Sequence, residues 1–376
     1  MWPDAPTTAL LDDMVPTRPV ALISGDLHAA WLNSAAYRRY DFARRDDLLR
    51  ENQCFELVTA LGVLSDDTLD ALVDAAARRA AARGVVGIVD LEMRWNPGDW
   101  LRRFARGTRS LRVDTGIYRE HLDRVIEAGL RSGDALEGGE GLLRMGPLKV
   151  LVDGSLNTRT AYCAQPYNGQ EGRGILTLQH EELNEILARA VAADICATVH
   201  AIGDAAVLLA LDALSRVGGG RIEHAQLVGV ADVPRFAHLG VVASVQPAHA
   251  LDDREVAEHY WAGRTDRIFP LRSLVDSGAT MAFGSDAPVA PLDPWLAISA
   301  AVTRARCGET PWHPEQRLTL AEAITASTRA RHLHPRAGDP ADLVAVDHDP
   351  VIADPDALRT MPVALTLVAG RATYER

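Results

Sequence analysis

The chain has 376 residues, of which 47% are hydrophobic and 24% charged, which are the proportions of an ordinary globular protein with a large core. Its net charge of -12 argues against a nucleic-acid partner, because phosphate binding needs clustered Lys and Arg. There is no signal-peptide pattern, no apolar run near the ~20 residues of a membrane span, and no C-x-x-C pair among the four cysteines. We therefore expect a cytoplasmic protein with reduced thiols that acts on a small molecule and does not associate with a membrane.

From about residue 66 the sequence alternates between helix and strand patterns. A helix is predicted to begin at Ser65 or Asp66 and to end at Gly84. Strict alternation implies parallel pairing with right-handed crossovers. A (β/α)₈ barrel is favoured over a doubly wound open sheet, because no G-x-G-x-x-G follows any of the strands. The strand segments are short, apolar and β-branched, and they cover 85–92, 111–118, 146–155, 196–204, 221–228, 241–249 and 280–288.

This count gives seven barrel strands, one fewer than a closed barrel of this type has. The segment PVALIS, within residues 18–36, is a candidate for the eighth, but a helical stretch and a long irregular connection separate it from the others. After the last barrel strand the pattern predicts helices at 294–304 and 319–332. Two further segments, 342–350 and 363–374, are typical of antiparallel strands, too few to form a domain alone.

Four polar residues end strands of the predicted barrel, where such barrels keep their active sites: Lys149, His200, His224 and Asp286. The two histidines lie on adjacent strands, so their imidazoles can converge on one metal ion. Either histidine alone would more often be a hydrogen-bonded core residue than a ligand, and the occurrence of the pair makes the two interpretations about equal. A buried carboxylate at Asp286 is costly unless it is paired, hydrogen-bonded or bound to a cation, although an Asp that caps a turn before Ala-Pro is common.

Lys149 interrupts the apolar run PLKVLVD, in which its neighbours favour burial. An ammonium group in that position loses several kcal/mol of hydration, which favours the neutral amine. A neutral amine beside a metal can react with CO₂ to give a carbamate, an anionic oxygen ligand able to bridge two metals. The alternative is a Lys at the strand edge that pairs with Asp153 or another carboxylate.

Taken together, these segments resemble a known family: GPLKVLVDGSLNTRTA, TVHAIGDAAVLLALDAL, RIEHAQLV, ASVQPAH, FGSDAPVAPLDPW, PWHPEQRLTLAEAI and ADLVAVDHDP. They are similar to the third family of the amidohydrolase superfamily, often called YtcJ-like, which includes N-substituted formamide deformylases. The resemblance implies a (β/α)₈ barrel with a small β-sandwich. It also implies one or two divalent metals, usually zinc, with Lys149 carboxylated, His200 and His224 as ligands, and Asp286 as ligand and proton shuttle.

The sequence departs from the family pattern at one point. Family members carry a first barrel strand that ends in H-x-H, and no such run occurs here. We therefore expect a barrel that is incomplete at its amino-terminal end, with one metal more readily held than two. The expected domains are a barrel over 1–335, with an insertion at 17–60, and sandwich strands over 336–376. The pair Asp26 and His28 matches the D-G-H-x-A-W-x-N-S-A segment of the insertion, which faces the active site, rather than the H-x-H pair.

The predicted function is metal-dependent hydrolysis of a C–N bond, of amide or formamide type, in a small molecule, with a metal-activated water as nucleophile and Asp286 as the catalytic residue. The alternative is a catalytically inactive protein that binds a small molecule or a partner through the same cleft. A homodimer would cover the gap in the barrel. By motif position, the expected substrate contacts are His28, Arg159, Gln246 and His249.

Overall fold

The computed structural model describes residues 6–62, 64–329, 332, 334–354 and 356–376. The strands in this part of the chain are β1 (Ala21–Ile23), β2 (Ala29–Leu32), β3 (Leu49–Arg50), β4 (Gly87–Asp90), β5 (Arg112–Tyr118), β6 (Leu143–Leu151), β7 (Ala197–Ala201), β8 (Gly220–His224), β9 (Val241–Val245), β10 (Met281–Phe283), β11 (Leu343–Val346), β12 (Val363–Val368) and β13 (Arg371–Glu375). The helices are α1 (Thr8–Met14), α2 (Ser34–Arg39), α3 (Asn52–Leu61), α4 (Asp66–Ala81), α5 (Asn96–Ala105), α6 (Leu122–Glu127), α7 (His180–Ala192), α8 (Asp204–Arg216), α9 (Val233–His238), α10 (His249–Asp252), α11 (Arg254–Tyr260), α12 (Leu271–Asp276), α13 (Pro294–Thr303) and α14 (Leu320–Ser327).

The main sheet contains strands β4 to β10, all parallel and in chain order across the sheet. All seven predicted barrel strands are therefore confirmed. Five of them lie inside the predicted segments, whereas β6 begins earlier, at Leu143, and β8 begins one residue earlier, at Gly220. The register places Lys149 beside Thr198 and Ala201 beside His224, so that the ends of these strands meet at one edge.

The curled sheet is open between its first and last strands. Within the described ranges, β4 pairs only with β5 and β10 only with β9. Val89 on β4 is consequently 38% exposed, although the sequence around it is that of a buried strand. The expectation of an incomplete (β/α)₈ barrel is confirmed, and its two open edges leave backbone N–H and C=O groups without ladder partners.

The helices around the sheet form because their apolar residues recur with helical spacing. Helix α4 begins as predicted, since the Ser65 side chain accepts a hydrogen bond from the backbone N–H of Thr68. Its buried face differs in part from a simple apolar stripe: Ala77 and Ala80 are buried, whereas Leu72 is 54% exposed. One continuous core fills the space between the helices and the sheet.

The carboxyl-terminal strands β11, β12 and β13 form a separate antiparallel sheet, which confirms the antiparallel pairing predicted for this region. The sheet packs on α4, where the Thr366 hydroxyl donates a hydrogen bond to the carbonyl oxygen of Ala81 at 2.7 Å. A Cβ added to Gly84 would lie 2.9 Å from Val344, so the close approach of this sheet requires a glycine there. The domain boundary at 335/336 stays a prediction.

The PVALIS segment does not supply an eighth barrel strand. Its strand, β1, pairs antiparallel with β2 in a second small sheet, which has its own apolar cluster around Leu32, Tyr37, Leu49 and Leu57. None of the helices in the described part of the chain is long and apolar enough to cross a membrane. The cytoplasmic location stays a prediction.

Candidate metal centre

The predicted site residues lie at the carboxyl-terminal edge of the main sheet. Lys149 lies near the end of β6, His200 near the end of β7, and His224 is the last residue of β8. His249 begins α10 just after β9, and Asp286 lies in the loop that follows β10. Because parallel strands bring their carboxyl ends to one side of a sheet, residues far apart in sequence come together here.

Three of these residues form a tight group. One ligand atom each from His224, His249 and Asp286 lies within 4.8 Å of the other two. The ring of His200 packs edge-on against His224, with ring centres 4.5 Å apart, and the rings of His224 and His249 are stacked at 6.3 Å. The structure thus places His249, which the sequence predicts to contact the substrate, next to His224 and Asp286, two of the predicted metal ligands.

The protonation of the histidines suits a metal site. Burial lowers the pKa of both His200 and His224 well below the ordinary value for imidazole. These imidazoles are therefore neutral at neutral pH, which is the form that coordinates a metal. The carbonyl oxygen of Gly154 lies 3.2 Å from Nε2 of His200, and a hydrogen bond there leaves Nδ1 as the coordinating nitrogen.

A buried nitrogen without a hydrogen-bond partner is a second feature that suits a metal site. Nε2 of His249 is buried and forms no hydrogen bond with any described residue. Such a nitrogen is costly unless something binds it. Its position within the group of His224 and Asp286 means that two imidazoles and a carboxylate, a common donor set for zinc, fit a divalent metal.

Lys149 is 7% exposed, as its apolar neighbours predict. No ion pair within 4.0 Å involves it in the described ranges, so the alternative pairing with Asp153 is not observed. Asp153 instead accepts hydrogen bonds from the backbone N–H groups of Tyr162, Ile202 and Gly203, and burial raises its pKa to about 7. Lys149 is also the one lysine among the 39 basic Lys and Arg residues of the chain.

Asp286 is exposed, contrary to the expectation of a buried carboxylate. The physical reason is the open edge: β10 is the last strand of the sheet, so the loop after it has a neighbouring strand on one side only. Its backbone φ is 54°, in the left-handed region that costs a residue with a Cβ about 1 kcal/mol or more. This strained conformation holds the carboxylate beside His224 and His249.

The remaining predicted residues divide into two groups. Gln246 lies close enough to His224 to influence the pKa of that ring, and the ring of His28 lies 5.8 Å from that of His200, so both border the cluster. Arg159 contacts Tyr260 instead, and its Nη1 donates a hydrogen bond to the Tyr260 hydroxyl at 3.2 Å.

Asp26 does not form a ligand pair with His28. Its carboxylate accepts hydrogen bonds from the Ser24 and Ser155 hydroxyls and from the backbone N–H of His28. These contacts fix the turn that carries His28 and bind it to the loop after β6.

Sequence reasoning missed two carboxylates near the site. Glu51 binds the His28 ring, and Asp253 accepts hydrogen bonds from Asn157 and Gln226 one helical turn after His249. Burial raises the pKa of Asp253. The one sequence signal for Asp253 is its spacing of four from His249 on adjoining helical segments, and no signal pairs His28 with Glu51.

The sequence model of a family described as "Amidohydrolase family" matches residues 1–374. The chain is 28% identical to Protein LONG AFTER FAR-RED 3 of Arabidopsis thaliana over 86% of its own length, but it spans only 62% of that relative. It is 26% identical to the N-substituted formamide deformylase of Arthrobacter pascens over 99% of its own length and 76% of that protein.

A solved structure also resembles this chain over most of its length. A crystal structure of an uncharacterized metal-dependent hydrolase from Pyrococcus horikoshii OT3 is similar with a TM-score of 0.73 and 26% identity, and the match covers 87% of this chain and 69% of that one. The likeness thus extends over most of the present chain and over about two thirds of that longer one.

Proposed function

The chain belongs to the amidohydrolase family, and from that membership and the site geometry we propose that it is a metal-dependent hydrolase of a C–N bond in a small molecule. The observation that carries the proposal is the grouping of His224, His249 and Asp286 ligand atoms within 4.8 Å at the carboxyl-terminal edge of the sheet. The bond type, amide or formamide, is suggested by the name of the Arthrobacter pascens relative.

The donor set favours a single zinc ion held by His224, His249 and Asp286. His200 and Lys149 are proposed as further ligands at the border of this cluster. When bound, such a metal supplies a Lewis acid that polarises a carbonyl group and makes water more acidic. Neutral imidazoles at His200 and His224 are ready to coordinate without first losing a proton.

Asp286 is the proposed proton carrier. Its exposed carboxylate can accept a proton from the attacking water and deliver it to the leaving nitrogen, because it lies beside the imidazoles without being enclosed by them. Gln246 and His28, at the border of the cluster, are the proposed substrate contacts. Arg159 is proposed as a more distant contact, reached by the substrate's outer part.

Lys149 is proposed to be carboxylated. Every other Lys or Arg of the chain is an arginine, and a guanidinium cannot form a carbamate, whereas the primary amine of lysine can. A carbamate would place an anion beside two neutral histidines, and no carboxylate within 4.0 Å competes for that role in the described residues.

The test is hydrolysis by the purified protein, supplied with zinc, of a panel of N-substituted formamides and small amides. We expect turnover that is lost in Asp286→Asn and retained in Asp349→Asn, a control at an exposed position outside the cluster. Turnover that is equal in Asp286→Asn and in the wild type would contradict the proposal. Zinc binding without turnover on any member of the panel would favour the alternative, a protein that binds a small molecule without hydrolysing it.

A further inference from the structure

We propose that Glu51 is the positioning residue for His28, and that it fixes this ring so that Nε2 is the nitrogen presented to the substrate. The inference rests on the proposed function, since it adds a residue to the same site. Neither residue belongs to the metal cluster, and Glu51 directly follows strand β3 of the small amino-terminal sheet rather than a barrel strand.

The contact between the two side chains is short and sheltered. Nδ1 of His28 lies 2.8 Å from Oε2 of Glu51, and the two side chains are 13% and 7% exposed. An ionised carboxylate can only accept a hydrogen bond, so Nδ1 must carry the proton that joins them. The bond fixes both the orientation of the ring and which nitrogen is left for another partner.

The backbone holds the two residues opposite each other. Ala29 on β2 pairs with Arg50 on β3, and next to that pair the backbone N–H of Glu51 donates to the carbonyl oxygen of His28 at 3.0 Å. Glu51 itself has φ 51° and ψ -126°, a conformation that a residue with a Cβ rarely adopts. This strained geometry directs its side chain back towards the His28 ring, while helix α3 begins at the next residue.

The far side of the Glu51 carboxylate faces the barrel. A Cβ added to Gly154, in the loop after the lysine-bearing strand β6, would lie 2.3 Å from Oε1 of Glu51. The carbonyl oxygen of the same glycine contacts Nε2 of His200. Glu51 is therefore packed between His28 and the loop that supports a predicted metal ligand, which leaves its carboxylate little freedom to move.

With Nδ1 engaged, Nε2 is the free nitrogen of His28, and it forms no hydrogen bond with any residue that the structure describes. The ring lies 5.8 Å from the ring of His200 at the border of the metal cluster. A ligand that occupies the cleft can therefore meet Nε2 directly, whereas a freely rotating ring would offer either nitrogen and lose affinity on being ordered.

The direct test reads the protonation of each ring nitrogen by ¹⁵N NMR on histidine-labelled protein in a pH series that continues until the signals of the neutral ring stop changing. This range is needed because burial lowers the pKa of His28 but the Glu51 carboxylate outweighs it, so that the pKa is raised above the ordinary imidazole value of about 6.5. The His28 signals are assigned by their loss in His28→Asn. We expect a protonated Nδ1 and an unprotonated Nε2 in the wild type and in Glu51→Gln, whose amide oxygen can still accept. Glu51→Leu should show a mixture of both neutral tautomers. A proton on Nε2 of the neutral ring in the wild type, or an unchanged pattern in folded Glu51→Leu, would overturn the proposal.

The kinetic test separates this proposal from the proposed function. If the wild type hydrolyses a substrate, Glu51→Leu should raise KM about tenfold, the effect of one lost hydrogen bond to a charged group, and Glu51→Gln should recover most of it. In a His28→Asn background, Glu51→Leu should have little further effect, because its action passes through that ring. Glu56→Gln, an exposed Glu on α3, is the matched control.

An equal effect of Glu51→Leu with and without His28 would contradict the positioning role. If the wild type hydrolyses nothing, the proposed function fails, and the NMR measurement still decides the role of Glu51. If Glu51→Leu does not fold, the NMR measurement on the wild type remains decisive, since a proton on Nε2 of the neutral ring in that protein refutes the geometry.

Discussion

Replacing Glu322 by Gln should destabilise the protein in a pH-dependent way, because this carboxylate carries two structural roles. It completes a capping box at the start of α14, where Thr319 N donates to its Oε2 at 2.8 Å. It also accepts a two-pronged ion pair from Arg272 on α12, at 2.7 and 3.0 Å. These helices flank β10, the strand that leads to Asp286.

The ion pair with Arg272 and the capping bonds lower the pKa of Glu322 from 4.5 to about 2. At 1.36 kcal/mol per unit this corresponds to about 3.4 kcal/mol at most. The side chain is 31% exposed, so solvent screening reduces the net value to about 1–2 kcal/mol. Since the folded-state pKa is depressed, this stabilisation is fully present above pH 4.5 and is lost as the pH falls towards 2.

The assay is urea denaturation of the wild type and Glu322→Gln from about pH 7 downwards, in the range where both proteins fold. Glutamine can still accept the capping hydrogen bond, so the difference should be about 1–2 kcal/mol at neutral pH and should shrink below about pH 4.5. Glu181→Gln, in the first turn of α7 and exposed, is the control. Equal stability at neutral pH, or a difference that grows on acidification, would refute the reasoning.

Two further substitutions test the packing behind the site. Gly203→Ala should destabilise by about 1–3 kcal/mol or more in urea denaturation, because the new Cβ would lie 2.0 Å from the carbonyl oxygen of Tyr162. Gly172→Ala, where no atom lies within 4 Å of the added Cβ, should be nearly neutral, and equal losses would contradict the steric argument. Ile117→Ala should cost about 2–5 kcal/mol, because Ile117 is fully buried in the main core. A loss below about 1 kcal/mol would mean that the core collapses to fill the cavity.

The strands of the barrel were predictable because each is a short apolar run bounded by amphipathic helices, and both features follow from burial alone. The positions of Lys149, His200 and His224 at strand ends follow from the same pattern. The grouping of His249 with His224 was not predictable, since it depends on how α10 turns back over the sheet after β9.

Tertiary geometry limited the remaining predictions. His28 and Glu51 are 23 residues apart and meet through a short antiparallel ladder that the sequence pattern does not indicate. The exposure of Asp286 depends on the open edge beside β10, a property of the whole sheet rather than of the local sequence. The PVALIS segment has strand character, but periodicity alone does not say which sheet a strand joins.

The most direct test of the metal centre is zinc stoichiometry after equilibrium dialysis, measured by elemental analysis on the wild type, His249→Asn and His348→Asn. The site predicts about one zinc per chain in the wild type and in His348→Asn, an exposed histidine outside the cluster, and a large loss in His249→Asn. Full zinc content in folded His249→Asn, or none in the wild type, would contradict a metal held by His224, His249 and Asp286.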